Sequence, residues 1–145
     1  MPGIVVGLDG SPNSERALDW ALRHATALHT SLTAVAVHQV AKSYWGHEPV
    51  VGAGDVAVMD QLQKSAEDMT QRALSQLTDG EPASVQVRAV NGFVVEELVN
   101  ASHDADELVL GSRSTTGLTR LVMGSISSEI VQHSACPVVI VPHQR

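Results

Sequence analysis

The sequence predicts an α/β fold: a single open, doubly wound, five-stranded parallel sheet of order 3-2-1-4-5 with helices on both faces. Three observations lead there. Five short apolar runs rich in β-branched residues alternate with four segments of helical spacing, giving the order β-α-β-α-β-α-β-α-β. Each run is read as too apolar to face water on either side, which is the condition of a parallel sheet covered by helices. Right-handed crossovers then leave few arrangements, and an open sheet whose chain order reverses once is the simplest. With 145 residues, 43% hydrophobic and 17% charged, the chain has the size and core-forming material of one domain, so residues 1–145 are read as one unit.

The first strand is Ile4–Leu8. It ends in Asp9-Gly10-Ser11-Pro12, where Ser11 suits a helix N-cap and Pro12 the first helical position. Ala17, Leu18, Ala21, Leu22, Ala25 and Leu28 then line one helical face. Residues 31–40 fill with Leu32, Ala34, Val35, Ala36 and Val37 and form a second strand ending near His38 and Gln39. Residues 41–54, with Tyr44, Trp45, Gly46, Pro49, Gly52 and Gly54, read as a loop. From Asp55 onward, Val58, Leu62, Ala66, Met69, Ala73 and Leu77 fall at intervals of four and three, the best amphipathic helix in the chain. Asp79-Gly80-Glu81-Pro82 stops it, and residues 85–90 form the third strand. Asn91-Gly92 reads as a turn into a helix carrying Phe93, Val94, Leu98 and Val99. Residues 108–110 form the fourth strand, ending at Gly111. A long Gly/Ser/Thr loop follows, then a helix over residues 125–132 and a last strand over residues 137–141.

Charge and cysteine content narrow the function. Nine Lys and Arg against sixteen Asp and Glu leave a net charge of -7 with no block of either sign, so the long-range field repels nucleic acid phosphates and anionic lipid. The single cysteine, Cys136, cannot form an internal disulfide, the opening MPGIVVGLDG lacks a basic leader, and no stretch approaches the roughly 18 apolar residues of a membrane span. The expected location is the reducing cytoplasm.

In an open sheet of this kind, ligands settle beyond the carboxyl ends of the strands where the winding reverses. That directs attention to the loops after the first and fourth strands, with Asp9 facing Gly111 across the crevice. The second loop ends at Gly124-Ser125 directly before a helix, where unpaired amides and the helix dipole favour an anion. Ser125 and Ser127 add hydroxyls, and Arg113 and Arg120 supply positive charge. The alternative is that Gly111 only lets the strand turn and Ser125 only caps the helix. Neither G-x-x-x-x-G-K-[ST] nor G-x-G-x-x-G occurs, so the standard phosphate and dinucleotide loops are missing.

The stretch GSRSTTGLTRLVMGSISSEIVQHSACPVVIVP, together with IVVGLDGSPNSERALDWA at the start, resembles the universal stress protein family. The resemblance runs from Ile4 to Pro142, with residues 41–54 its most variable part. ATP-binding members carry a closing loop of Gly, two residues, Gly, nine residues, then Gly with Ser or Thr. Gly111, Gly124 and Ser125 stand in the matching places, and Ser114 occupies the second glycine position. If the backbone is left-handed there, a side chain costs about 1–2 kcal/mol. Either the Ser114 hydroxyl donates to a phosphate or the loop binds nucleotide more weakly.

The resemblance implies ATP as ligand. Asp9, with Gly7 and Leu8 before it, would lie beside the ribose or a phosphate-bound Mg²⁺, a cation that would relieve the repulsion between a carboxylate and a triphosphate; the alternative is that Asp9 only caps the first helix. The backbone from Val37 to Gln39 would hold the adenine edge, with Leu110 packing on the ring. Gly111, Arg113, Ser114, Gly124, Ser125, Ile126 and Ser127 would surround the phosphates. With no evident catalytic base or hydrolytic lysine, the nucleotide is expected to act as a conformational signal in a stress response, with at most slow hydrolysis. The alternative reading, favoured by Ser114, is a nucleotide-independent dimeric interaction module of the same fold.

Other signals carry less. The seven histidines show neither H-E-x-x-H nor a nearby cysteine pair, Cys136 has no base to pair with it, and no G-x-S-x-G elbow occurs, which argues against a zinc site, a cysteine nucleophile, a hydrolase triad and a flavodoxin-like enzyme. Tyr44 and Trp45 suit either a lid over the adenine or a small cluster within their own loop. The last strand, Pro137-Val138-Val139-Ile140-Val141, falls at a sheet edge in the predicted order. An apolar edge invites pairing about a two-fold axis, so a homodimer is expected, as the resemblance also implies.

Overall fold

The computed structural model describes residues 3–39, 41–42, 49–50, 53–78, 80–112 and 124–142. In chain order the elements are β1 (Ile4–Leu8), α1 (Pro12–Leu28), β2 (Ser31–Gln39), β3 (Ala41–Lys42), β4 (Pro49–Val50), α2 (Ala53–Ser75), β5 (Ser84–Gly92), α3 (Val94–Ser102), β6 (Glu107–Gly111), α4 (Ser125–His133) and β7 (Val138–Val141). Five of these strands form one sheet in the order β5-β2-β1-β6-β7, the predicted 3-2-1-4-5. Every described pairing within it is parallel.

The two sides of the central strands go to different helices. Ile4, Val6 and Leu8 of β1 and Leu32 of β2 pack with Leu18 and Leu22 of α1 and Met69 of α2. Val5, Val35, Leu108 and Leu110 face the other way, against Leu98 of α3 and Ile130 of α4. The winding therefore reverses at the β1–β6 boundary: α1 and α2 cover one face, α3 and α4 the other. Burial on both sides explains why the strands read as continuous apolar runs.

The entry to α1 follows the predicted chemistry. Ser11 is the N-cap, its Oγ accepting from the Ser14 amide at 3.2 Å, with Pro12 next in line. At the other end of the long helix, α2 stops at Ser75 instead of running through Leu77. The amides of Gln76 and Leu77 turn back to Ala73 and Leu74, a tightened last turn that still packs Leu77 on the core.

Two readings need correction. The segment over residues 41–54, read as a loop, carries the short antiparallel ribbon of β3 and β4, and α2 already begins at Ala53. Tyr44 and Trp45 lie outside the described residues. Asn91 and Gly92, read as a turn, are the last two residues of β5 and pair with His38 and Gln39 of β2. The long β2 ladder overrides the local turn preference. A Cβ at Gly92 would come within 2.6 Å of Glu97 Cγ in the first turn of α3, so a larger residue there would have to move the Glu97 side chain.

Leu108 sits in the centre of β6 with no exposed surface. Leu108→Ala is expected to lower unfolding free energy by about 2–5 kcal/mol. Urea denaturation checks this: the midpoint falls with little change in slope, and a loss below about 1 kcal/mol would mean that this layer collapses around the deletion.

Candidate functional site

Where β1 and β6 end side by side and the winding reverses, their carboxyl ends open a cleft of about 220 Å³. Its wall is apolar: Val35 and Val37 from β2, Val94 and Leu98 from α3, Leu110 from β6 and Ile126 from α4. Its polar rim is Asp9, Ser14 and Ser127, with the Gly7 and Gly111 backbones between. A hollow with apolar walls and a few converging polar groups is the usual form of a small-molecule site. A larger hollow of about 470 Å³ lies between α1 and α2, but residues of these helices and the turn after α2 line it, and no strand end enters it.

The cleft gathers Gly7, Leu8, Asp9, Val37, Leu110, Gly111, Ile126 and Ser127, as the sequence predicts. Gly124 and Ser125 stand immediately before its α4 wall. Gln39 is the last residue of β2, and nothing of its side chain is described; Arg113, Ser114 and Arg120 lie outside the described residues. Sequence reasoning missed Ser14, Val35, Val94 and Leu98. Val35 was within reach, since it precedes Val37 by two and shares its strand face. Val94 and Leu98 share a helix face by their spacing of four, but which wall that face forms depends on the crossover.

Asp9 is exposed at the end of β1. Its Oδ1 accepts from the Ser11 amide at 2.9 Å and from the Ser11 hydroxyl at 2.5 Å. The carboxylate therefore braces the N-cap without being the cap, and no bond to Oδ2 is found among the described residues. Gly10 continues the turn at φ +82°, a conformation that favours glycine.

The glycines around the cleft serve different ends. At Gly111 a Cβ would meet Asn13 Cβ at 3.0 Å and its backbone carbonyl atoms at 3.1 Å, so glycine lets the start of α1 sit against the end of β6. At Gly7 a Cβ would meet the Leu98 and Leu110 side chains at 3.0 and 3.1 Å. Gly124 is unlike both. It is the N-cap of α4 at φ -62° and ψ 154°, a conformation open to any residue, and it offers the helix no side-chain cap.

The alternative role for Ser125 is thereby corrected: it is the first helical residue, and Gly124 holds the cap position. The Ser127 hydroxyl donates to the Gly111 carbonyl at 3.0 Å, tying α4 to β6. The Gly124 amide donates to the Ser112 carbonyl at 2.8 Å, and the Ser112 amide to the Val141 carbonyl at 3.0 Å, so β6, β7 and the start of α4 are one connected unit. Neither hydrogen bond uses the amides of Ser125 to Ser127, which begin the helix without a side-chain acceptor.

The family model described as the universal stress protein family matches residues 2–142. A universal stress protein of Mycobacterium tuberculosis is 29% identical over 98% of this chain and 48% of its own length. The chain spans about half the length of the curated relatives it matches. Among solved structures, the universal stress protein UspA from Lactobacillus plantarum matches with a TM-score of 0.77 and 21% identity, covering 97% of each chain. A universal stress protein in complex with cAMP matches with a TM-score of 0.67 and 24% identity over 97% of this chain and 96% of the other. One from Archaeoglobus fulgidus in complex with dAMP has a TM-score of 0.63 and 19% identity over 97% of both.

The two β-strand glycines separate packing from binding. Gly111→Ala is expected to destabilise the fold by about 1–3 kcal/mol, because backbone atoms of Asn13 stand in the way. Gly7→Ala meets only leucine ends, which can rotate, so its thermal midpoint should fall less. Equal losses of midpoint in the two variants would remove this distinction.

Proposed function

The chain belongs to the universal stress protein family, and on that premise we propose that it binds an adenine nucleotide, ATP with Mg²⁺, as a conformational signal in a stress response. One observation carries the reading. Helix α4 opens beside the cleft with a glycine whose own conformation does not require one and with no side-chain cap. Both features are what close approach of an anion to the first amides of a helix needs. The complexes of structural relatives with cAMP and dAMP support an adenine nucleotide as the occupant class.

In this reading the base lies against Val37 and Leu110, with its edge on the backbone from Val37 to Gln39. The ribose lies near Gly7, Leu8 and Asp9. The phosphates sit over Gly124, Ser125, Ile126 and Ser127, beside Gly111, with Arg113 and Ser114 of the intervening loop completing the site. Asp9 Oδ2 is the atom offered to Mg²⁺, which would bring the charge neutralisation that a triphosphate needs in an acidic protein. No residue is assigned to activate a water. Binding and release, with at most slow hydrolysis, is the proposed cycle.

The remaining proposals follow the family and the charge. Residues 1–145 act as one domain in the cytoplasm, with no nucleic acid or membrane partner. Two copies associate through β7, whose outer edge has no strand beside it among the described residues. No helix among the described residues is long and apolar enough to cross a membrane.

Purified protein is denatured and its supernatant run on an anion-exchange column beside ATP, ADP, AMP and cyclic AMP standards. Co-eluting nucleotide is expected, together with a rise in melting temperature on adding millimolar ATP and Mg²⁺. An empty site with no thermal shift points instead to an interaction module that works without nucleotide. Gly124→Val is expected to abolish the shift while leaving unfolding of the unliganded protein nearly unchanged, because valine adopts the same φ and ψ. Undiminished affinity in that variant places the phosphates elsewhere.

A further inference from the structure

The sheet has two edge strands, β5 and β7, and they are treated differently. At β5, the side chain of Gln63 reaches across from α2. Its Nε2 donates to the Val87 carbonyl at 2.8 Å, and its Oε1 accepts from the Ala89 amide at 2.8 Å. In a parallel ladder, one residue of a neighbouring strand accepts from and donates to two residues that flank its partner. Gln63 reproduces that pattern on either side of Arg88, so its carboxamide stands in for the N–H and C=O of one residue of a sixth parallel strand. Its orientation is fixed by a third bond, from the second Nε2 proton to Glu67 Oε1 at 3.0 Å, one helical turn on. Turning the amide over would oppose its oxygen to two acceptors and its protons to a donor.

We propose that Gln63, positioned by Glu67, is a specificity determinant of self-association: it closes the β5 edge to the β7 strand of a second copy of this chain. The excluded occupant is the β7 strand of another copy. β7 is a run of Val138-Val139-Ile140-Val141 with an unpaired outer side among the described residues, and it is the strand best suited to extend another sheet. An edge strand open at both ends of the sheet allows head-to-tail addition, β7 of one copy on β5 of the next, and such a contact propagates without closing. Blocking β5 removes that route while leaving symmetric pairing through β7 untouched. The inference concerns β5 and stands whether or not nucleotide binds.

Light scattering behind size-exclusion chromatography, run on the full chain over a range of concentrations, tests it. The wild type is expected to give one concentration-independent mass, and Gln63→Ala a series of larger, concentration-dependent species. Ala89→Pro in the Gln63→Ala background removes the outward amide at an edge position that tolerates proline, and should return the mass to that of the wild type. Larger species that persist in the double variant would mean that association occurs elsewhere. Hydrogen exchange supplies a second readout on the unaltered protein: the Ala89 amide should be protected, and should exchange about tenfold or more faster in Gln63→Ala. A wild-type mass for Gln63→Ala, or an unprotected Ala89 amide in the wild type, overturns the proposal. Removing nucleotide should change neither result, which separates this failure from failure of the nucleotide reading.

Discussion

The requirement that the central parallel strands be covered on both faces governs this molecule. β1 cannot leave Val5 or Val6 in water, so α1 and α2 must cross on one face and α3 and α4 on the other. A right-handed chain can do this only by reversing its winding once, and the reversal falls between β1 and β6. At that seam the chain leaves β1 for α1 on one face and β6 for α4 on the other. The cleft is the gap left by the solution to a packing problem, and its apolar wall is the continuation of the α3–α4 core into solvent.

Side chains at the seam divide their hydrogen bonds between holding the frame and facing the cleft. Ser127 gives its proton to Gly111, and Asp9 gives one oxygen to Ser11, so both fix the termini of helices that point toward the gap. The main-chain amides of Ser125 to Ser127 begin α4 without a side-chain acceptor. A site that uses backbone donors this way is preorganised, because its donors are held by a helix whose later bonds are already made. The same economy is seen at the β5 edge, where a glutamine amide substitutes for backbone.

Much of this was legible in the residues. Ser11-Pro12 marked the start of α1, the four-and-three spacing from Val58 marked α2, and uninterrupted β-branched runs marked a parallel sheet. Asp9 and Gly111 followed once strand order placed β1 beside β6, whereas Gly7 and Leu110 came from the family resemblance. Two of the misses turn on contacts between distant parts of the chain. Asn91-Gly92 has the local chemistry of a turn, yet nine residues of β2 offer it a ladder to complete. Val94 and Leu98 show helical spacing, but spacing does not say which neighbour a helix will face.

The sequence by itself determined the class of fold, the order of its strands and the end of the sheet where a ligand would lie, because periodicity and turn chemistry are local and the handedness rule converts them into topology. Only the tertiary structure decided what stands against the glycines at the strand ends: the backbone of Asn13 at Gly111 and the side chain of Glu97 at Gly92. It alone also revealed that Gln63, an unremarkable polar residue of an amphipathic helix, lies against Val87 and Ala89. Those contacts join residues more than twenty positions apart, and distances of that kind are fixed by packing the whole chain.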